Sequence, residues 1–284
     1  MNFGKKLFIL ATALIISASC CFARTINTAV VSDIHLKPSD DPYVFTDSEK
    51  NLIFAVESIN RNKDIDFTVF LGDNIDKSTP ESLESFMNIV KNLKKPYYMV
   101  FGNHDAYHAG GIDKDDFIKE VCKYSKYQDK KETSFYFKAG KKAYGLVADG
   151  SSYVVPGRHG RYLPELLKEI ERLFKYKKTS IILIYQHFPL VDPNDNASHT
   201  TLDKENYLEL ISKYKNIVYI ATGHFHHEKV TVDENGIYHI SVPALGARAG
   251  SDGSGKYQII KTDYTPRFLR KPDNAKVEVI DVYI

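Results

Sequence analysis

Cysteine is scarce: three in 284 residues, with Cys20 and Cys21 inside the first 23 positions and Cys122 alone beyond them. A single thiol cannot close an internal disulfide, so a fold built after that segment must rest on its core. Cys122 lies between Val121 and Lys123 with no histidine or cysteine close by, and reads as a small, partly buried hydrophobe. An excess of either charge is equally lacking. The chain has 38 Lys+Arg against 36 Asp+Glu, and without Lys5 and Lys6 the count is 36 against 36. A near-neutral chain lacks the broad basic field of a dedicated nucleic-acid binder, and no spaced aromatic-basic platform for single strands is present. Repeats, charge blocks, low-complexity tracts and Gly/Ser- or Pro-rich linkers are absent. The composition, 43% hydrophobic and 26% charged, is that of a globular protein long enough to bury a full core.

Long apolar runs occur once. Lys5 and Lys6 precede an apolar stretch from Leu7 to Ile16, followed by mostly small residues from Ser17 to Ala23. This is the layout of a secretory signal cut after Ala23, and the stretch is well short of the roughly 20 residues of a spanning helix. The pattern predicts an export signal over 1–23, a mature chain of one domain over 24–284, and a periplasmic or extracellular address. A lipid-modified Cys20 or Cys21 is the lesser alternative, because Ser17, Ala18 and Ser19 include no large aliphatic residue. No second run is long enough to cross a membrane.

What is present, five times over, is a short apolar run that stops at a polar cluster. Thr28–Val31 leads to Ser32-Asp33-Ile34-His35, and Phe67–Leu71 to Gly72-Asp73-Asn74. Tyr97–Phe101 leads to Gly102-Asn103-His104-Asp105, Ile181–Tyr185 to Gln186-His187, and Ile217–Ala221 to Thr222-Gly223-His224-Phe225-His226. Such runs read as strands buried on both faces. Segments of helical period lie between them. One holds Leu52, Ile53, Val56 and Ile59 after a cap at Ser48, and another follows Thr79-Pro80 with Leu83, Phe86, Met87, Val90 and Leu93. A third opens at Pro164, and a fourth runs from Leu202 to Tyr214. Hairpins are expected around 138–142 and at Asn235-Gly236, with late strands over 257–261 and 277–283. The expected product is an α/β fold of two facing sheets with helices outside.

Open α/β sheets collect ligands at the carboxyl ends of their strands. The five clusters therefore pool Asp33, His35, Asp73, Asn103, His104, His187, His224 and His226, which include five of the ten histidines. Imidazole, carboxylate and amide donors suit divalent transition metals, and with no cysteine among them a thiolate zinc site is excluded. No Gly-x-Ser-x-Gly elbow supports a Ser-His-Asp hydrolase.

Asp33-x-His35, Gly72-Asp73, Gly102-Asn103-His104-Asp105, His187 and Gly223-His224-x-His226 together resemble the calcineurin-like metallophosphoesterases, in that family's order. The resemblance implies a four-layer αββα sandwich and two metal ions. Asp33, His35 and His226 would hold one ion, Asn103, His187 and His224 the other, and Asp73 would bridge them. His104 would be the proton donor, with Asp105 holding its ring. The implied activity is hydrolysis of small phosphate mono- or diesters, nucleotide-type substrates included, by hydroxide formed from a water the two ions share. Mn, Fe, Zn and Co all suit the donors.

Two departures narrow the resemblance. Asp76 stands where purple acid phosphatases carry a metal-ligating tyrosine, and Lys77 where protein Ser/Thr phosphatases carry an arginine. Asp76 is open to two readings, an outer partner of the site or a solvated loop acid. At motif level the chain is also similar to bacterial cyclic-nucleotide phosphodiesterases, whose cytosolic substrate sits awkwardly with an export signal. Arg158, Arg161 and Arg248, in Gly-rich segments, are candidate phosphate contacts, though surface arginines usually have no such role. His108 and His159 are weaker candidates still, and His199, His227 and His239 read as non-ligands. The competing class is a protein-binding scaffold that keeps the fold without the reaction, against which the complete donor set and His104 argue.

Overall fold

The computed structural model describes residues 23–37, 47–125, 132–155, 157–192, 201–246, 255–266 and 275–284. The expected export signal lies outside them except for Ala23, as do Cys20, Cys21, His199 and Arg248. Among the described residues no helix is long and apolar enough to cross a membrane.

Among the described residues, eleven strands form two mixed sheets. The first comprises β1 (Arg24–Val31), β2 (Phe67–Phe70), β3 (Tyr97–Met99), β10 (Lys256–Tyr264) and β11 (Lys276–Tyr283), in the order β11-β10-β1-β2-β3. The second comprises β4 (Phe135–Gly140), β5 (Ala143–Ala148), β6 (Ile181–Gln186), β7 (Ile217–Thr222), β8 (Lys229–Val232) and β9 (Tyr238–Ser241), in the order β4-β5-β6-β7-β9-β8. β1, β2 and β3 run parallel, as do β5, β6, β7 and β9. Parallel pairing brings the polar clusters after β1, β2 and β3 to one edge of the first sheet, and those after β6 and β7 to one edge of the second.

The side-chain alternation of β1 shows how the layers are built. Ile26 and Val30 belong to the core between the sheets, with Val69, Leu71, Val100, Leu183, Tyr185 and Tyr219. Ala29 and Val31 face the other way, onto α1 (Ser48–Arg61), α2 (Pro80–Val90) and α3 (Lys114–Tyr124), which contribute Leu52, Phe86, Met87 and Phe117. The outer face of the second sheet packs Ile182, Ile184 and Ile220 on α4 (Pro164–Tyr176) and α5 (Lys204–Ser212), which contribute Phe174 and Tyr207. With both faces covered, β2, β6 and β7 are buried along their whole length, which is why they read as unbroken apolar runs. The four-layer αββα expectation is borne out.

Local signals are legible to different degrees. Thr79 caps α2 as expected, its hydroxyl accepting from Ser82 N at 3.2 Å with Pro80 in the first turn. The cap of α1 is Asp47, in a left-handed conformation and without a side-chain bond, one residue before the expected Ser48. The helix α3 was not expected at all: its buried apolar residues are only Phe117, Ile118 and Val121, behind a charged first turn. Both hairpins form, but each supplies an edge strand, β4 or β8, while β5 and β9 continue the parallel part of the sheet.

Candidate metal centre

Three of the five rim strands, β1, β2 and β7, end in turns whose backbone is left-handed at the functional side chain. Asp33 (φ 49°), His35 (φ 47°), Asp73 (φ 51°), His224 (φ 72°) and His226 (φ 60°) are all non-glycine residues in that region. Such conformations persist only where surrounding contacts over-determine them, and they concentrate at functional sites. The contacts here are backbone bonds between turns: Asp33 N donates to Gly72 O at 3.1 Å, His35 N to Asp73 O at 2.9 Å, and Gly223 N to His187 O at 3.1 Å. Two glycines permit the crowding. A methyl group at Gly223 would lie 2.0 Å from Ser32 Oγ and 2.7 Å from Asp33 Oδ2, and one at Gly102 would lie 2.1 Å from Asp73 Oδ1. Gly223→Ala is therefore expected to displace Asp33 and lower metal content by at least one ion per chain, read by elemental analysis of the purified variant.

The rim side chains converge in two groups. Asp33, His35 and His226 present ligand atoms within 4.8 Å of one another, and so do Asp73, His187 and His224. The first sheet supplies Asp33, His35 and Asp73, and the second supplies the other three. Asp73 Oδ2 stands between the groups, 3.6 Å from His35 Nε2 and 3.4 Å from His187 Nε2. His226 Nε2 lies 3.3 Å from both His35 Nε2 and Asp33 Oδ1.

The far side of each ring fixes which nitrogen is offered. His187 Nδ1–H donates to Leu71 O at 2.8 Å, leaving Nε2 toward Asp73. His224 Nε2–H donates to Arg158 O at 2.9 Å, leaving Nδ1. His35 turns Nδ1 toward Asp76 Oδ1, at 3.4 Å, and Nε2 toward the cluster. Such outer partners orient metal-ligating imidazoles. Asn103 Oδ1 is buried without a hydrogen-bond partner, an acceptor in need of a positive charge. Nitrogen and oxygen donors with an orphaned amide oxygen fit a pair of divalent or transition-metal ions.

The electrostatics agree. Burial would raise the Asp33 carboxyl, but the charge and hydrogen bond of His226 and the charge of His187 hold it down at about 2. Burial likewise opposes ionisation of Asp73, yet the facing histidines hold it well below the carboxylate range. Burial and the charge of His187 push His224 down to about 3. His187 goes the other way: burial lowers it, but Asp73, Asp33 and the Leu71 carbonyl outweigh that and raise it to about 9. A ligating histidine must be neutral, so metal uptake below about pH 9 displaces the His187 proton, whereas His224 and Asp33 are already deprotonated near neutrality. Metal affinity is accordingly expected to rise with pH from 6 to 9, with proton release visible by calorimetry in buffers of different ionisation enthalpy. An affinity flat over that range would contradict the assignment of His187.

His104 sits beside the cluster. Its backbone N–H donates to Asp73 Oδ1 at 2.9 Å, and its ring Nδ1–H donates to the backbone carbonyl of Asp76 at 2.8 Å. Its side chain is 40% exposed and its ring centroid is 4.7 Å from that of His35. Burial lowers its proton affinity, but Asp73, the Asp76 carbonyl and carboxylate, and Asp105 together raise it above the ordinary histidine value.

The expectation that Asp105 holds the His104 ring is corrected. Asp105 accepts four bonds from the backbone N–H groups of Asn74, Ile75 and Gly102 and from the Asn74 side chain, at 2.7–3.2 Å, so it braces the turns that carry Asp73 and Asn103. Burial and the Asp73 charge lift its carboxyl to about 6 against those donors. Of the two readings of Asp76, the structure selects the outer partner. It faces His35, lies 4.0 Å from His104 Nδ1, and pairs with Lys37 at 3.5 Å. Asp76 with His35 and His104 also forms a third convergent group, but there His104 Nδ1 is committed to a carbonyl and His35 shows its other nitrogen to the centre.

A cavity of about 880 Å³ has a lining that includes Lys114, Asp149, Ser151, Tyr153, His159 and Arg161 and none of the candidate metal ligands. In the chain, His159 of the lining follows Arg158, whose carbonyl accepts from His224, and the carbonyl of Tyr153, also in the lining, accepts from His108 N. His159 and Arg161 are thus placed at the cavity. His108 is exposed and bonded to Asp113 at 2.8 Å, and His239 faces Asp233 at 3.4 Å. His227 belongs to none of the convergent groups among the described residues. Lys114 and Asp149 were missed by sequence reasoning. Asp149 follows the apolar β5 just as the ligands follow their strands, and that signal could have found it.

Residues 26–228 match the family model of calcineurin-like phosphoesterases. The chain is 25% identical over 209 residues to a protein of Arcobacter nitrofigilis named "Probable glycerophosphodiester phosphodiesterase", covering 71% of this chain and 72% of that one. It is also 25% identical over 225 residues to the 3',5'-cyclic adenosine monophosphate phosphodiesterase of Haemophilus influenzae, covering 74% and 76%. A dimetal phosphatase from Danio rerio shares the fold with a TM-score of 0.66 at 12% identity, over 89% of this chain and 98% of that one.

Proposed function

The chain belongs to the calcineurin-like phosphoesterase family, and from that premise we propose that it is an exported hydrolase of small phosphodiesters that works with two divalent or transition-metal ions. The observation that carries this reading is the convergence of six ligand side chains from two sheets in two groups, with Asp73 between them. Asp33, His35 and His226 would hold one ion, Asn103, His187 and His224 the second, and Asp73 both. When bound, such a pair would lower the pKa of a shared water and neutralise charge on the phosphoryl oxygens.

The chain's own groups supply the remainder. The carbonyl of Asp76 fixes the His104 ring through Nδ1, so Nε2 is the atom left to give a proton to the departing alkoxide. Asp105 keeps the turns of Asp73 and Asn103 in register, and Asp76 orients His35. A preference for diesters is supported by the two curated relatives, both named as phosphodiesterases. Export is supported by the charged, apolar and small-residue sequence over 1–23.

The test is hydrolysis of bis(p-nitrophenyl) phosphate and p-nitrophenyl phosphate by chelator-stripped chain reloaded with Mn(II), Fe(II), Zn(II) or Co(II). Turnover is expected only after reloading, and faster on the diester. A chain inert with every metal would instead be a scaffold, and one active only on the monoester would lose the diester assignment.

A further inference from the structure

Lys114 occupies a place where a lysine is costly. It is only 3% exposed, and as the first residue of α3 it meets the positive end of the helix dipole. A buried ammonium needs a partner, and this one has two: Nζ donates to Asp149 Oδ2 at 2.7 Å and to Ser151 O at 3.0 Å. The Asp149 side chain is 5% exposed, and its other oxygen accepts from Ser151 N at 2.9 Å and from Ser151 Oγ at 2.7 Å. The pair joins the helix layer of the first sheet to the end of β5 in the second.

The loop between His104 and Lys114 is fastened along the same seam. His108 N donates to Tyr153 O at 2.9 Å and Ala109 N to Val154 O at 2.8 Å. The ammonium also lies 5.4 Å from the ring centroid of Phe101, the residue directly before Gly102-Asn103-His104, and Phe101 packs edge-on against Phe117 of α3. His104 is bonded to the first sheet's turns at Asp73 and Asp76, and the chain on either side of it meets Lys114 at Phe101 and the loop after β5 at Tyr153 and Val154.

We propose that Lys114 and Asp149 are a positioning pair for proton delivery: they hold the turn bearing His104 at a fixed place relative to the ligands of the second sheet, His187, His224 and His226. The proposal rests on the reading of His104 as the proton donor. Neither residue has a hydrogen bond or ion pair with any candidate metal ligand, but the turn they hold also carries Asn103, so the ion content of each variant is measured beside its turnover. A misplacement of about 1 Å can cost on the order of 10²-fold in rate.

The test compares Lys114→Met, the near-isosteric Asp149→Asn and, as reference, His104→Ala, each as full chain loaded with Mn(II). The two substrates are bis(p-nitrophenyl) phosphate, whose phenolate departs without a proton, and diethyl phosphate, whose alkoxide needs one. Both pair variants are expected to keep two ions per chain and to lose about 10-fold to 10² on diethyl phosphate, against less than about threefold on the aryl ester. Equal losses on both esters, or no loss on diethyl phosphate in folded, metal-loaded Asp149→Asn, would overturn the proposal. If His104→Ala discriminates between the esters and the pair variants do not, the proposal alone falls. If His104→Ala does not discriminate either, the proton-donor reading falls and takes the proposal with it.

Discussion

Asp73→Ala is expected to release both ions and bring phosphodiester turnover to background. Among the candidate ligands only Asp73 stands between the two convergent groups, its Oδ2 near His35 Nε2 on one side and His187 Nε2 on the other. Its other oxygen accepts the backbone N–H of His104, so the substitution also frees the turn that carries the proton donor. The loss should therefore exceed the roughly 10²–10³-fold that removing a single electrostatic donor costs. A ligand serving one ion alone behaves differently: His226→Ala should keep the partner ion's donors and retain about one ion per chain. Elemental analysis of the two variants checks this, and two ions per chain in Asp73→Ala would refute the bridging role.

His104→Ala is expected to keep both ions and lower turnover by roughly 10²–10⁴-fold, the usual worth of a positioned proton donor. Retention of metal follows from the geometry, because the His104 ring spends Nδ1 on the Asp76 carbonyl and stands outside the two groups on either side of Asp73. The loss should be largest for alkyl esters and smallest for aryl esters, since an alkoxide leaves poorly without a proton. Parallel loss of metal and activity would mean that His104 is a ligand.

Several parts of this were legible in the sequence, for identifiable reasons. Strands buried on both faces must be apolar throughout and must then stop, so Phe67–Leu71 before Gly72-Asp73 and Ile217–Ala221 before Thr222-Gly223-His224 mark both the strand and the rim. The hairpin at Asn235-Gly236 is likewise local, with Gly236 at φ 80°.

Side-chain direction was not legible. Asp105 follows His104 directly, but the turn points its carboxylate inward to four N–H donors, while the carbonyl of Asp76, 28 positions earlier, takes the imidazole. Nothing in a one-dimensional pattern distinguishes those outcomes. Lys114 was hidden for a related reason: a charged residue in a weakly periodic segment reads as surface, and only the fold brings Asp149 to it from 35 positions away. α3 went with it, its stripe too sparse to register.

The central claim is that side chains from two sheets hold two cations close enough to share a water. Titrating the chelator-stripped chain with Mn(II) while recording its electron paramagnetic resonance spectrum tests this most directly. Saturation at two ions per chain, with the multiline spectrum of an exchange-coupled pair at roughly 3.5–4 Å, is the expected result. Saturation at one ion, or two ions giving only the six lines of isolated Mn(II), would contradict the account.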